Sequence, residues 1–315
     1  NPIIEGSSEL TDSAKKIKKN KKNGAAAVVL KSIFEEEITM EYEKVLEEEA
    51  DNRYKDEYLD YFDYRIKEEN IQAYIDLITE AKKAVNIPVI ASVNCKSAYE
   101  WTYFAEKIEK AGADAIELNI FVLPSDFNKS SQENEKTYFD IVEKITDKVS
   151  IPVSLKISHY FSNLAQMILK LSQTKISGIT LFNRFYSPDF DINNMEVLAS
   201  NVLSTPEELP LSLRWIGIVS NKAECDLAAS TGIHTGSAII KQILAGADAV
   251  QIVSTLYKNG TNYIDTLLKQ IEDWMAEKNF NSLQDFKGKM SRDKTDNPAL
   301  YERVQFMKYF SDKDQ

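Results

Sequence analysis

Short apolar runs alternate with longer amphipathic stretches along this sequence, and this alternation restricts the chain to very few folds. Each run is rich in β-branched residues, opens after Gly, Pro or Asp, closes on polar residues and is followed by a helical pattern. The runs are too uniformly apolar to leave one face in water, which is typical of parallel strands covered by helices. Eight strands are predicted: Ile3–Gly6, Ala26–Lys31, Pro88–Asn94, Ala115–Asn119, Pro152–Ile157, Gly178–Asn183, Cys225–Ser230 and Ala249–Ser254.

An α/β fold of the (β/α)8 type, a TIM barrel, accommodates this pattern more naturally than an open sheet. In Asn23–Leu30, Ala111–Asn119 and Ala245–Val253, a Gly follows a predicted helix and a strand starts soon after it. A left-handed Gly at that point lets the chain turn back into the sheet. The seventh strand has an alternative in Arg214–Ser220. We prefer Cys225–Ser230, with Arg214–Ser220 as a short helix, because the sequence TGIHTG then follows the strand end directly.

Two segments exceed what a simple barrel needs. The stretch Phe34–Asn86 is too long for an ordinary connection, so we expect an extended loop region after strand 2, followed by a helix over Glu68–Val85. Asn262–Ala276 has the pattern of an amphipathic helix, and the residues after it predict a C-terminal helical appendage on the barrel wall. No second domain is indicated, and residues 1–315 are expected to form a single domain.

The net charge and the cysteine content restrict the classes of partner and site that are expected. With 38 Lys and Arg against 49 Asp and Glu, the net charge is -11, which argues against a nucleic acid or an anionic membrane surface as the main partner. No apolar run approaches the roughly 20 residues that span a bilayer, and no signal peptide is visible, so we expect a cytoplasmic protein. Two Cys and two His, widely spaced, offer neither a disulfide framework nor a transition-metal site.

Polar residues close the predicted strands, and in barrels of this type the active site lies at the carboxyl ends of the strands. They could simply cap the sheet toward water. Two lysines and three asparagines among them instead favour a planar, hydrogen-bonding and partly anionic small molecule. The strand-end set comprises Gly6 with Ser7 and Ser8, Lys31 with Ser32, Ser92 with Asn94, Asn119, Lys156 with Ser158 and His159, Asn183 with Arg184, Thr231 with Gly232, and Ser254 with Thr255.

The last two loops have the composition of phosphate sites. Ser230–Gly236 and Val253–Gly260 each combine hydroxyl residues and Gly near the start of a predicted helix. Backbone N–H groups face an anion at such a place, and barrels frequently bind phosphate there. Gly and Thr also serve as ordinary turn residues, so the phosphate hypothesis depends on finding both loops, in the seventh and eighth positions.

These segments resemble those of a known family. The opening NPIIEGSSELT, then LKS, ELN, SLKIS and LFN after successive strands, and finally STGIHTGSAIIKQILAGADAVQIVSTLYKNG resemble, in order, the flavin-contacting segments of soluble dihydroorotate dehydrogenases. The resemblance covers nearly the whole chain. It is strongest to the bacterial proteins termed dihydroorotate dehydrogenase-like. It implies an oxidoreductase of pyrimidine biosynthesis with non-covalently bound flavin mononucleotide (FMN). Because the related soluble enzymes dimerise, a homodimer is also expected.

The resemblance implies roles for individual residues. Lys31 would reach the flavin and the substrate, and Lys156 would stabilise negative charge on the pyrimidine edge of the reduced flavin. Asn119 and Asn183 would hydrogen-bond the substrate ring. Hydride would pass from substrate C6 to flavin N5 while a base removes the C5 proton. The implied cofactor-binding set is Gly6, Ser7, Lys31, Ser32, Asn119, Lys156, Thr231, Gly232, Ser254 and Thr255.

The sequence departs from the family at the catalytic base. In the soluble family the loop after the fourth strand reads Asn, any residue, Ser, Cys, Pro, Asn, and its Cys is the base, whereas here the ungapped position holds Val122. Ser125 takes this place if the loop is longer, as Ser does in the membrane-associated branch, so we predict Ser125 as catalytic together with the two lysines. In the loop between the second and third strands, the family's Asn-Ser-Met-Gly-Leu substrate motif has no counterpart near the sequence FDYRIKEEN. Glu5 and Glu9 stand where uncharged residues are expected, and a carboxylate facing a reduced flavin would oppose its charge.

Three other functions stay open. The same barrel could oxidise a different cyclic substrate, because the residues that would recognise orotate are the ones that differ. It could also be a scaffold that has lost catalysis. Finally, it could be a phosphate-binding lyase or isomerase in which Lys31 or Lys156 forms a Schiff base, which requires a neutral lysine.

Overall fold

The computed structural model describes residues 1–34, 56–95, 101–120, 122–185, 187–200 and 202–303, and these residues form a closed barrel. The described strands are β1 (Ile3–Glu5), β2 (Ala27–Val29), β3 (Ile33–Phe34), β4 (Val89–Cys95), β5 (Ala115–Ile120), β6 (Val153–Ile157), β7 (Gly178–Leu181), β8 (Ser187–Asp191), β9 (Glu196–Ser200), β10 (Asp226–Ser230) and β11 (Ala249–Ile252). Eight of them are parallel and close the barrel in the order β1, β2, β4, β5, β6, β7, β10 and β11, and β11 pairs with β1.

Helices cover the outside of this barrel. The described helices are α1 (Ala14–Lys22), α2 (Asp56–Ala84), α3 (Trp101–Lys110), α4 (Ser131–Thr146), α5 (Leu164–Ser172), α6 (Leu209–Val219), α7 (Gly236–Ala245), α8 (Ser254–Asn259), α9 (Tyr263–Glu277) and α10 (Ala299–Glu302). Gly24, Gly112 and Gly246 follow α1, α3 and α7 with positive φ angles, as the turn back into a strand requires. The predicted (β/α)8 barrel is confirmed, including β10 as its seventh strand and a helix over 214–219.

Two local features differ from the sequence predictions, and a third prediction falls outside the described residues. Helix α2 extends back to Asp56 rather than starting at Glu68, and residues 56–67 contain no Gly or Pro that would interrupt it. The extended loop predicted for the first half of 34–86 falls largely on 35–55, outside the described residues. The antiparallel hairpin β8–β9 was not predicted, since each strand is short and many of its apolar side chains face solvent.

The apolar core lies between the barrel and its helices. Outward-facing strand residues such as Val28, Leu118, Leu155 and Ile252 are buried beneath the helical layer, in the position expected for parallel strands. After α9, the predicted appendage packs on α6 and α7 through backbone hydrogen bonds from residues 288, 290 and 292. Among the described helices, none is both long and apolar enough to cross a membrane.

Candidate active site

A polar layer crosses the inside of the barrel. Glu117 on β5, Thr180 on β7 and Gln251 on β11 are all buried. Glu117 Oε2 accepts hydrogen bonds from Gln251 Nε2 and, over 3.2 Å, from Thr180 Oγ1. Barrel interiors are usually filled by branched apolar side chains. This layer therefore forms the floor of a polar site at the carboxyl ends of the strands.

Lys156 stands directly on this floor. It is 8% exposed, and its Nζ donates to Gln251 Oε1 over 3.0 Å and lies 3.9 Å from Glu117 Oε1. Glu117 Oε1 has no hydrogen-bond partner. A buried ammonium needs a nearby opposite charge, and Glu117 supplies it from inside the barrel.

Several predicted residues meet in one groove above Lys156. They come from the ends of five different strands, so only the closed barrel brings them together. The groove is lined by the predicted residues Ser7, Lys156, Asn183, Thr231 and Ser254, and also by Ser204 and Gln251.

A chain of three hydroxyls runs along one side of the barrel mouth. Ser7 Oγ lies 2.9 Å from Ser32 Oγ, which lies 2.7 Å from Ser92 Oγ. The backbone N–H of Ser92 donates to the Tyr74 hydroxyl over 2.7 Å, and this hydroxyl donates back to the Ser92 carbonyl oxygen over 3.0 Å. Burial raises the pKa of Tyr74, so its phenol stays protonated. Ser7 and Ser32 are thus fixed together with the β4 backbone.

The two predicted substrate asparagines are in contact. Asn183 Nδ2 donates to Asn119 Oδ1 over 2.9 Å, and Asn183 Oδ1 accepts from the backbone N–H of Arg184. Arg184 in turn forms a two-pronged ion pair with Glu208. Each amide is therefore oriented by a neighbour, as is needed for hydrogen bonding to a planar ring.

The two predicted phosphate loops converge on Ser204. Its backbone N–H donates to Ser254 Oγ over 2.9 Å, its Oγ accepts from the Gly232 N–H over 3.4 Å, and Lys258 Nζ donates to its carbonyl oxygen over 2.7 Å. Thr231 and Gly232 both have positive φ angles. A Cβ on Gly232 would come within 2.2 Å of the backbone N of Leu209, so only Gly fits there.

Not every predicted residue faces the groove. Thr255 is fully buried, and its hydroxyl accepts from Asn259 Nδ2. Lys31 follows β2 half-buried, and its side chain makes no hydrogen bond with another described residue. Gly6 is held by its N–H bond to Ile252 O. Ser125 lies on an exposed segment, outside the residues that line the groove. The roles of all these residues stay predictions.

Glu5 points away from the groove. In the strand register Ile4 pairs with Gln251, which faces the barrel interior, whereas Glu5 pairs with Ile252 and Val28. Because side chains alternate along a strand, Glu5 faces the helical layer. It is 0% exposed and neither carboxylate oxygen has a hydrogen-bond partner. Burial raises its pKa from 4.5 to about 8. The expected conflict between Glu5 and a reduced flavin does not arise.

His159 lies at the end of β6 between two clefts. One cleft is shared with Asn183 and Thr231, which also line the groove, and the other with Val122 and Tyr138. Burial lowers the pKa of His159, and its Nδ1 has no hydrogen-bond partner. A neutral imidazole therefore stands beside the position where the family carries its base.

Sequence reasoning missed Glu117, Thr180 and Gln251. Each lies two or three positions before the polar residue that closes an otherwise apolar predicted strand, and Glu117 lies two positions before Asn119. That period of two could have placed Glu117 on the inward face. Nothing local in the sequence indicates that Ser204 meets both phosphate loops. Within the described residues, no three His, Cys, Asp or Glu side chains are grouped as a metal site.

A closed (β/α)8 barrel with oriented polar groups at the carboxyl ends of its strands has the architecture of a barrel enzyme. The dihydroorotate dehydrogenase family model matches residues 50–275 of this chain. The chain therefore belongs to the dihydroorotate dehydrogenase family, and it is an oxidoreductase.

Individual relatives agree with this family. The catalytic subunit of dihydroorotate dehydrogenase B (NAD(+)) from Thermoplasma volcanium is 30% identical over 292 residues, which cover 91% of this chain and 94% of that protein. The corresponding subunit from Pyrococcus furiosus is 25% identical over 66% of this chain and 70% of its own. A putative dihydroorotate dehydrogenase A (fumarate) from Aeropyrum pernix is 26% identical over 67% and 70%, respectively.

Proposed function

We propose that the chain is an FMN-dependent oxidoreductase that oxidises dihydroorotate, or a related cyclic substrate, in pyrimidine biosynthesis. The observation that carries this proposal is the buried Lys156 ammonium at the floor of a groove lined by hydroxyl and amide side chains. We assign the activity to residues 1–315 as one FMN-binding domain, acting in the cytoplasm.

The donors around the groove suit a phosphorylated flavin. The hydroxyls of Ser7, Thr231 and Ser254 can donate to ribityl or phosphate oxygens, and Lys258 brings a positive charge next to Ser204. Phosphate groups favour such a combination of N–H, hydroxyl and ammonium donors. Lys156 supports a ring edge that becomes negative on reduction. The residues present therefore fit FMN.

Each part of the chain has a defined task in this reaction. When bound, FMN would supply the acceptor for the hydride that leaves C6 of the substrate. Asn119 and Asn183 hold the substrate ring in the plane set by their mutual hydrogen bond. Lys31 and Lys156 supply positive charge, and a base takes the C5 proton.

Two residues compete for the role of the base. Ser125 is the candidate that the resemblance implies, although it lies on an exposed segment. His159 lines the cleft that also holds Val122. The variants Ser125→Ala and His159→Asn separate them, because loss of a general base slows proton transfer by about 10²–10⁴-fold. Only the variant that removes the true base should slow flavin reduction to that extent.

An anaerobic absorption experiment tests the function. Protein reconstituted with excess FMN is mixed with dihydroorotate, and bleaching of the flavin band is the expected result. Lys156→Met should slow or abolish bleaching, whereas Lys170→Met, on the exposed face of α5, should not. If FMN binds but stays oxidised, the substrate is another cyclic compound and not dihydroorotate. Failure to bind FMN would refute the proposal.

We further propose that the chain forms a homodimer through the hairpin β8–β9. Phe190 is 71% exposed and Met195 93% exposed, and Ile192 and Val197 are also exposed. A two-stranded hairpin is only marginally stable alone, and contiguous exposed apolar side chains commonly mark an interface. A second copy of the chain would cover this surface.

A further inference from the structure

We propose that Glu117 is a built-in countercharge that lowers the reduction potential of the flavin by competing for Lys156. This inference rests on the proposed function, because it requires FMN in the groove. Glu117 would be a positioning residue: it contacts Lys156 from inside the barrel, and Lys156 is the group that faces the cofactor.

The contacts of Glu117 hold its carboxylate next to Lys156. It is 1% exposed, and Thr180 and Gln251 hold its Oε2. Its Oε1 has no hydrogen-bond partner and lies 3.9 Å from Lys156 Nζ. One oxygen is thus anchored by the barrel and the other is directed at the ammonium. The same Gln251 that anchors Glu117 accepts from Lys156 over 3.0 Å.

Reduction of the flavin adds a negative charge that needs Lys156. Since both Lys156 and Glu117 are almost completely buried, their charges are poorly screened, and electrostatic effects extend further than in water. Glu117 already balances the ammonium, and it also repels a second negative charge above it. The reduced form is therefore stabilised less than by an uncompensated lysine, so the carboxylate lowers the potential.

This role predicts the direction in which the relative affinity for reduced and oxidised FMN changes, which a packing role would not. Glu117→Gln keeps the size of the side chain and removes its charge, so Lys156 becomes free to stabilise the reduced flavin. The reduced form should then bind more tightly relative to the oxidised form. Glu117→Asp keeps the charge and should stay near the wild-type ratio. Glu106→Gln, at a partly exposed position on α3 far from the barrel interior, is the control for the change in net charge.

The test measures the dissociation constants of oxidised FMN and of dithionite-reduced FMN for each variant. For Glu117→Gln the ratio of oxidised to reduced dissociation constants should rise about ten-fold, which corresponds to a potential about 30 mV more positive for a two-electron couple. Glu106→Gln should leave the ratio unchanged. An unchanged ratio in a folded Glu117→Gln that binds FMN overturns the inference and leaves the proposed function standing. Wild-type protein that binds no FMN overturns both.

A second variant keeps the test valid if Glu117→Gln does not fold. Glu117→Gln combined with Lys156→Met removes both buried charges, and removal of a whole buried pair is often tolerated where removal of one partner is not. If the two groups oppose each other, the double variant keeps a ratio near that of the wild type. If Glu117 is inert, the loss of Lys156 lowers the ratio about ten-fold, and the inference is wrong.

Discussion

Replacing Glu5 by Gln should make the protein more stable, and increasingly so as the pH rises. Burial raises the pKa of Glu5 from 4.5 to about 8, so the folded state holds this proton more tightly than the unfolded state does. The stability that protonated Glu5 contributes is therefore fully present below about pH 4.5 and is lost as the pH rises toward 8. At pH 7 the pH is about 2.5 units above the pKa of the carboxyl in the unfolded state, and each unit costs about 1.4 kcal/mol, so the loss is about 3.5 kcal/mol.

Urea unfolding at pH 5, 6, 7 and 8 measures this effect. Gln also buries an unpaired polar group, but that cost does not change with pH. The test is therefore how the difference in unfolding free energy between variant and wild type changes with pH. The difference between Glu5→Gln and wild type should grow by about 1.4 kcal/mol per pH unit between pH 5 and 7. Glu9→Gln, at an exposed position in the same segment, is the matched control. A difference that is constant from pH 5 to pH 8 would refute the reasoning.

Three further predictions concern the hydrogen bonds between Tyr74 and Ser92, the phosphate loop and the hairpin. Tyr74→Phe leaves both backbone groups of Ser92 without their partner, so the free energy of unfolding should fall by about 2–4 kcal/mol; an unchanged urea midpoint would contradict this. Gly232→Ala should weaken FMN binding and destabilise far more than Gly112→Ala, because both have positive φ but only Gly232 lacks room for a Cβ; equal losses in thermal melts would refute the steric argument. Phe190→Asp should convert a dimer to a monomer in light scattering, and an unchanged mass would exclude the hairpin as the interface.

The sequence was sufficient to predict the barrel, because each strand is an apolar run that can be recognised locally and several are preceded by a Gly at the turn. Gly24, Gly112 and Gly246 indicate three of these returns without any tertiary information. The hairpin β8–β9 lacked such a signal, since its two strands are short and apolar side chains such as Phe190 and Met195 face solvent.

The candidate site was predictable where it depends on strand ends. Lys156 and Asn183 could be placed at the mouth because every parallel strand ends at the same rim. Glu5 could not be assigned to a face without knowing the register, because a shift by one residue moves a side chain to the other side of the sheet. Ser204 was out of reach because its partners Gly232 and Ser254 are distant in the chain.

The polar layer inside the barrel also has a consequence for how the chain folds. Glu117 and Gln251 are 134 positions apart, and Thr180 lies 63 positions after Glu117. In a partial barrel that lacks β11, Glu117 and Lys156 lose their hydrogen bonds to Gln251. Hydrogen bonds to charged groups are stronger than neutral ones, so closure of the barrel gains a contribution that the earlier strands cannot make alone. The network thereby couples the polar interior formed by the earlier strands to the arrival of the last one.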